Sequence, residues 1–378
     1  MIYLDNSATT HKKPDSVINA MTQYMKSGCA NPGRSGHKLS LKASEFVYNC
    51  RNLICEMFGA SNPENIVFTL NATDSLNIAI KGYLNEGDHA IFSSMEHNSV
   101  VRPFYALLDK NIEYSVAIGD KFGRVTAESI LSLIKPNTRL VCLIHASNVC
   151  GTINDICEIG KKLKEKNIKF LVDASQSGGI VPINMEEDNI DFLVLTGHKA
   201  LMGPQGTGVL CIKDDIDLKT IKEGGTGSMS TYASMPPYLP DKLESGTLNT
   251  VGICGLYEGI KFIKNVGINN ILEHDRYLSR ILLEDLMNIR NIRVFGYLTD
   301  VRRIGVISVN FPERDVIEVS QILDKEYNIA TRAGYHCAYG AHCTIGSEKE
   351  GTLRLSIGAF NTKDDIKSAV YAINKIIN

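Results

Sequence analysis

Between residues 65 and 196, short apolar runs alternate with amphipathic ones, and this rhythm restricts the chain more than any other feature. Ile66 to Thr69, Ala90 to Ser93, Tyr114 to Ile118, Leu140 to His145, Phe170 to Val172 and Phe192 to Leu195 read as strands. Helical patterns run over Asp74 to Tyr83, Val100 to Leu108, from Ala127 onward, and over Ile156 to Lys164. Apolar strands separated by helices predict an α/β fold, with a mainly parallel sheet sandwiched by helices. Ligands of such sheets sit at the carboxyl ends of the strands.

The flanks differ from this repeat. Tyr3 to Thr10 reads as a short strand entering a polar loop, followed by a helical pattern over Ser16 to Met25. Ala43, Phe46, Val47, Cys50, Leu53, Ile54 and Met57 recur at helical spacing and predict a long amphipathic helix from about Ser40 to Phe58. A further helix runs from Thr250 to about Val266, and strand-like Arg303 to Phe311 and Thr352 to Ile357 follow. The 378 residues therefore divide into an N-terminal arm (1–14), a large domain (15–259) and a smaller α+β C-terminal domain (260–378).

Forty basic residues against 42 acidic ones leave a net charge of −2, which argues against nucleic acid or an anionic membrane as partner. No apolar stretch approaches the roughly 18 to 20 residues of a spanning helix. Met1 to Asp5 lacks the basic-then-apolar layout of a signal peptide, so the expected compartment is the cytoplasm. Ten cysteines are scattered through apolar periodic segments, and Cys50, Cys55, Cys142, Cys157 and Cys254 are expected as reduced core residues. Cys337 and Cys343 stand apart in a polar, glycine-containing stretch.

Two strand ends carry chemistry. Asp191 to Lys199 is an apolar run ending in a polar turn that delivers one lysine amine, and Lys169 to Asp173 ends in a carboxylate. An amine for a Schiff base and an acid for a pyridinium nitrogen suggest pyridoxal 5'-phosphate (PLP). Asn71-Ala72-Thr73-Asp74 joins a strand to a helix, offering free N–H groups and the Thr73 hydroxyl to a phosphate, with Thr196 and His198 near Lys199 as further donors. Asp74 reads equally as an ordinary helix cap. His97 follows another strand, where it could stack on a cofactor or move a proton, or be a surface histidine. Asn148 could donate to a phenolate oxygen or serve as a turn residue before Gly151. Gly203 to Gly208 and Gly224 to Ser228 fit no nucleotide-binding pattern and read as turns. In Arg332 to Cys343, Cys337 is the candidate nucleophile, with Arg332 and His336 favouring a thiolate and Arg354 as a carboxylate clamp. A zinc site of His336, Cys337, His342 and Cys343 is the competing reading, disfavoured because adjacent His-Cys pairs do not easily point into one tetrahedron.

Tyr3-Leu-Asp-Asn-Ser-Ala8, Arg34-Ser-Gly-His37, Glu96-His97, Ser147-Asn148, Val172-Asp-Ala-Ser-Gln176, Thr196-Gly-His-Lys199, Glu244-Ser-Gly-Thr247, Arg332-Ala-Gly-Tyr-His-Cys337 and Arg354 together resemble one family. It is that of the PLP-dependent cysteine desulfurases and selenocysteine lyases of the class V aminotransferase group, and the short cysteine loop looks like its second branch. The resemblance implies PLP-dependent transferase fold type I, a homodimer, and conversion of L-cysteine to L-alanine with sulfur passing to an enzyme cysteine as a persulfide. L-selenocysteine lyase activity, or another class V aminotransferase or lyase activity, is the alternative, and a sulfur-acceptor protein is an implied partner. By the same resemblance Lys199 is the Schiff-base lysine, Asp173 the pyridine-nitrogen partner and His97 the ring-stacking histidine. Gln176 and Asn148 contact the phenolic oxygen and substrate. Ala72, Thr73, Thr196 and His198 hold the phosphate, and Thr247 reaches that of the neighbouring subunit. Cys337 carries the persulfide, and Arg354 with Ala8 and Asn148 meets the substrate; no metal is implied. Asn71-Ala72-Thr73 departs from the common Gly-Thr-Thr, Leu248 replaces a common proline, and Ala341 to Gly346 differs from better-studied relatives.

Overall fold

The computed structural model describes residues 1–33 and 35–378; Arg34 of the Arg34-to-His37 motif lies outside the described residues. The chain runs β1 (Ile2–Tyr3), α1 (Asp15–Lys26), α2 (Lys38–Phe58), β2 (Ile66–Thr69), α3 (Ala72–Tyr83), β3 (His89–Ser93), α4 (Asn98–Tyr105) and β4 (Glu113–Ala117). It continues through α5 (Ala127–Leu131), β5 (Thr138–Ile144), α6 (Ile156–Glu165), β6 (Lys169–Asp173), β7 (Phe192–Thr196), β8 (Gly208–Ile212) and α7 (Thr250–Val266). The last part comprises α8 (Ile268–Met287), β9 (Arg293–Val294), β10 (Val306–Asn310), α9 (Val316–Tyr327), β11 (Ile329–Ala330), β12 (Arg332–Gly334), α10 (Tyr339–Ile345), β13 (Thr352–Ser356) and α11 (Lys363–Ile377).

Seven strands form the main sheet in the order β2-β8-β7-β6-β5-β3-β4. The pairs from β7 through β4 are parallel, and β8 is antiparallel to both neighbours. Successive side chains of one strand enter opposite cores: Leu140, Leu171 and Phe192 pack with α3 and α4, whereas Val141, Val172 and Leu193 pack with α2 and α7. Burial on both faces is why these strands read as continuous apolar runs. Because β3, β5, β6 and β7 are parallel neighbours, their carboxyl ends share one edge, and the residues following them are gathered there.

A second, four-stranded antiparallel sheet has the order β12-β13-β10-β9. Its core joins Ile307, Val309, Leu353 and Leu355 to Leu278, Leu282 and Leu286 of α8 and Ile366 and Ile373 of α11. Leu4 enters this core, while β1 pairs with β11 and Asp5 bridges to Ser356. Residue 260 lies inside α7, whose Ile253, Leu256, Ile260 and Ile263 pack with the main sheet.

Three expectations are corrected. Gly203 to Gly208 is not only a turn, since Gly208 opens β8; a Cβ there would come 2.4 Å from the Asn71 carbonyl carbon, so only glycine fits between β8 and the start of α3. The strand expected from Arg303 begins at Val306, and Arg303 is instead a fully buried residue that donates to the carbonyls of Tyr297, Cys150 and Val306. Cys157 is exposed and Cys55 only partly buried, whereas Cys50, Cys142 and Cys254 are buried as expected. On α6 the inward positions are Ile156, Ile159, Gly160 and Leu163, which turns Cys157 outward.

Candidate active site

The carboxyl edge of the main sheet, the arm and the second sheet enclose a cavity of about 300 Å³. Lys199 and Thr196 come from the end of β7, Asp173 and Gln176 from the end of β6, Asn148 from the end of β5 and His97 from the end of β3. Ala72 and Thr73 open α3 on one wall, Ala8 enters from the arm, and Arg332, His336 and Arg354 enter from the second sheet. His198 also lines it. Thr247 does not: it is exposed and lines a neighbouring cavity with Thr73 and Asp74. Cys337 lies at the surface beside the cavity, with its Sγ 3.7 Å from the Arg332 Nη2.

Electrostatics differentiate these groups. Burial pulls the Lys199 amine down to about 8; Asp173 partly opposes that shift, and Arg354 and Arg332 reinforce it. About one amine in ten is therefore neutral and nucleophilic at pH 7, against fewer than about one in a thousand for an ordinary lysine. One Asp173 oxygen accepts from the Ser175 N–H (2.9 Å) and hydroxyl, and the other takes no donor among the described residues. Burial lowers His97 to about 4. The Ser99 N–H donates to His97 Nδ1 at 3.1 Å, so the proton of the neutral ring resides on Nε2. Ser99 Oγ in turn lies 2.7 Å from that Nδ1 and 2.8 Å from Thr73 Oγ1, linking the two candidates.

The donor set fits a phosphorylated aldehyde. Asn71 caps α3 by accepting from the Asp74 N–H at 3.0 Å, which leaves the first-turn N–H groups of Ala72 and Thr73 without intrahelical partners. Thr196 Oγ1 and Asn148 Oδ1 are buried with no partner among the described residues. His198 Nδ1 meets Thr9 Oγ1 at 3.1 Å, and burial holds that ring at about 4. An anion placed beside the α3 terminus would accept from the free N–H groups of Ala72 and Thr73 and from the Thr196 hydroxyl, whereas Asn148 Oδ1 is itself an acceptor and needs a donor.

Arg354 is 1% exposed; Nη1 donates to the Asn148 carbonyl at 2.9 Å, Nη2 pairs with Asp5 at 2.8 Å, and Nε has no partner among the described residues. The four zinc-reading residues do not converge, because His336 and His342 are buried while Cys337 and Cys343 are exposed. Among the described residues no group of three or more His, Cys, Asp or Glu side chains is arranged to hold a metal. Sequence reasoning missed Ser99, Ser175 and Asp5 as partners. A hydroxyl two residues after His97, and another two after Asp173, were the available signals for the first two.

A model of the family described as Aminotransferase class-V matches residues 2–368. A probable cysteine desulfurase of Borreliella burgdorferi is 33% identical, covering 100% of this chain and 92% of the relative. One from Methanothermobacter thermautotrophicus is also 33% identical, over 97% of this chain and 92% of the relative. The solved apo structure of a cysteine desulfurase from Thermococcus onnurineus superposes with a TM-score of 0.91 at 29% identity, covering 100% of this chain and 94% of that one. A cysteine desulfurase from Escherichia coli gives 0.87 at 26% identity, with 99% and 94% covered. With a family model spanning nearly its whole length and relatives alike from end to end, this chain belongs to the aminotransferase class-V family.

Proposed function

We propose that the protein is a PLP-dependent cysteine desulfurase, converting L-cysteine to L-alanine and taking the sulfur onto Cys337. The observation that carries the reading is that Arg332 lines the Lys199 cavity while standing 3.7 Å from the Cys337 thiol. An accessible sulfur nucleophile thus borders the chamber that holds the amine.

Lys199, Asp173, Thr196, His198, Ala72 and Thr73 would hold the cofactor, which supplies an aldehyde for the substrate amine and a protonated ring that accepts the electron pair released at Cα. Arg354, with Ala8 and Asn148, receives the substrate carboxylate; its unpartnered Nε is a donor free for that purpose. The Lys199 amine takes the Cα proton. Cys337, as thiolate, attacks the substrate sulfur; the S–S bond forms as the C–S bond breaks, and the carbon keeps the bonding pair and is protonated. His97 with its proton on Nε2, and Gln176, orient the reacting groups.

The exposed Thr247 fits a role in a second copy, and exposed Leu39, Leu41, Tyr48 and Tyr232 offer apolar surface for a homodimer. The exposed Cys337 fits delivery of sulfur to an acceptor protein. No helix among the described residues is long and apolar enough to cross a membrane, and the cysteines are unpaired, which fits the reducing cytoplasm.

Incubation with L-cysteine should yield alanine and a Cys337 peptide heavier by one sulfur. Cys337→Ala should lose about 10²-fold or more of this activity while keeping the cofactor absorbance. Undiminished sulfur release by that variant would overturn the assignment. Retained turnover of selenocysteine alone would point to the lyase reading, because selenium leaves carbon without an attacking thiolate.

A further inference from the structure

His336 and Cys337 are consecutive non-glycine residues in the left-handed region, with φ of 48° and 58°. Side chains rarely adopt this backbone, and it persists where surrounding structure holds it. Two hydrogen bonds do so from outside the turn. The Asn98 N–H donates to the Cys337 carbonyl at 2.8 Å, and Asn148 Nδ2 donates to the His336 carbonyl at 2.7 Å. Both donors follow strands of the seven-stranded sheet, whereas the turn connects β12 of the other sheet to α10. Within the turn, the Ala338 N–H closes onto the Tyr335 carbonyl at 2.9 Å, and His336 Nε2 meets Thr352 Oγ1 at 2.8 Å. The direction of the Cys337 side chain is therefore set by the segments that carry His97 and Asn148.

We propose that the backbone N–H of Asn98 is a positioning donor which, with Asn148, clamps the His336–Cys337 turn and fixes where the thiol meets substrate. The thiol's role rests on the function proposed above; the clamp does not. Asn98 is the first residue of α4, and the preceding His97 is extended at φ −66° and ψ 153°. Proline is favoured at a first helical position and requires an extended residue before it. The Asn98 side chain has no hydrogen bond among the described residues, so Asn98→Pro removes one donor and little else.

Amide exchange of the 335–338 segment in full-length Asn98→Pro, with and without PLP, is to be read against Asn98→Ala, which keeps the N–H. Loss of the clamp should speed that exchange about threefold or more. Single-turnover persulfide formation on Cys337 should fall about tenfold, with the KM for cysteine and the cofactor absorbance within about twofold. Asn148→Ala, studied by exchange alone in the cofactor-free protein, should loosen the same segment from the other side. Unchanged exchange in both variants overturns the clamp. Faster exchange with an undiminished persulfide rate overturns its positioning role. If no variant, nor the unaltered protein, makes alanine from cysteine, the proposed function fails while exchange still decides the clamp.

Discussion

Lys199 and Asp173 line the same cavity, and their interaction has a measurable sign. Burial lowers the lysine to about 8 and the Asp173 carboxylate pulls it partly back. The neutral amine fraction should therefore rise through pH 8 and level off by about pH 9, more than one unit below an ordinary lysine. Competitive acylation of the cofactor-free protein, followed by mass analysis of the Lys199 peptide, reads this directly. Asp173→Asn should move the inflection lower still. An inflection near that of free lysine, about 10.4, would remove the basis for Lys199 as a ready nucleophile. His97 contrasts with it: its low value keeps the ring neutral, and the Ser99 N–H fixes which nitrogen bears the proton.

The start of α3 makes a similar case for an element rather than a residue. Asn71 accepts from the Asp74 N–H, and the Asp74 carboxylate accepts from the Leu70 N–H at 3.2 Å, so the cap orients the two free amides at Ala72 and Thr73. Asn71→Ala should cost about 1 kcal/mol of stability through the lost cap. It should also weaken PLP binding about tenfold, equivalent to ~1.4 kcal/mol, while leaving binding of unphosphorylated pyridoxal unchanged. Equal losses for both ligands, measured by equilibrium titration, would separate the helix start from the phosphate. The alternation that announced this sheet was legible because the inner parallel strands β3, β5, β6 and β7 are buried on both faces and each helix on one. Strand β8 was not, because its glycine-rich approach carries turn chemistry and its pairing with β2 and β7 is tertiary. Cys157 was misread because α6 has a narrow buried stripe and the residue lies just beside it. Strand-end positions could be placed from the sequence, whereas the Asp5–Arg354 pair, separated by 349 positions, leaves no local trace.

At the scale of the whole molecule the described residues form three main cores, one on each face of the large sheet and one around the four-stranded sheet. The proposed division at residue 260 would cut α7, and a cut after that helix matches the last of these cores, which takes up Leu278 onward. Asp275 of α8 sits where the two regions meet. Its Oδ2 accepts from the Gly305 N–H at 3.0 Å, Oδ1 is buried without a partner among the described residues, and the side chain borders a small cavity shared with Lys199 and His274. Burial raises this carboxyl to about 7, with the Gly305 bond, Arg303 and Arg276 opposing the shift. A raised acid favours the folded state fully only below its unfolded value of about 3.9; that contribution is lost progressively as pH rises and is gone above about 7. Asp275→Asn keeps an oxygen for the Gly305 N–H and cannot ionise. Its stability relative to the unaltered protein should therefore improve by about 2 kcal/mol between pH 5.5 and pH 8. Denaturant midpoints at those two pH values measure the change. Any constant cost of burying the new amide cancels in the difference, so a flat difference between the two proteins would mean that Asp275 is not the buried titrating group where the two regions meet.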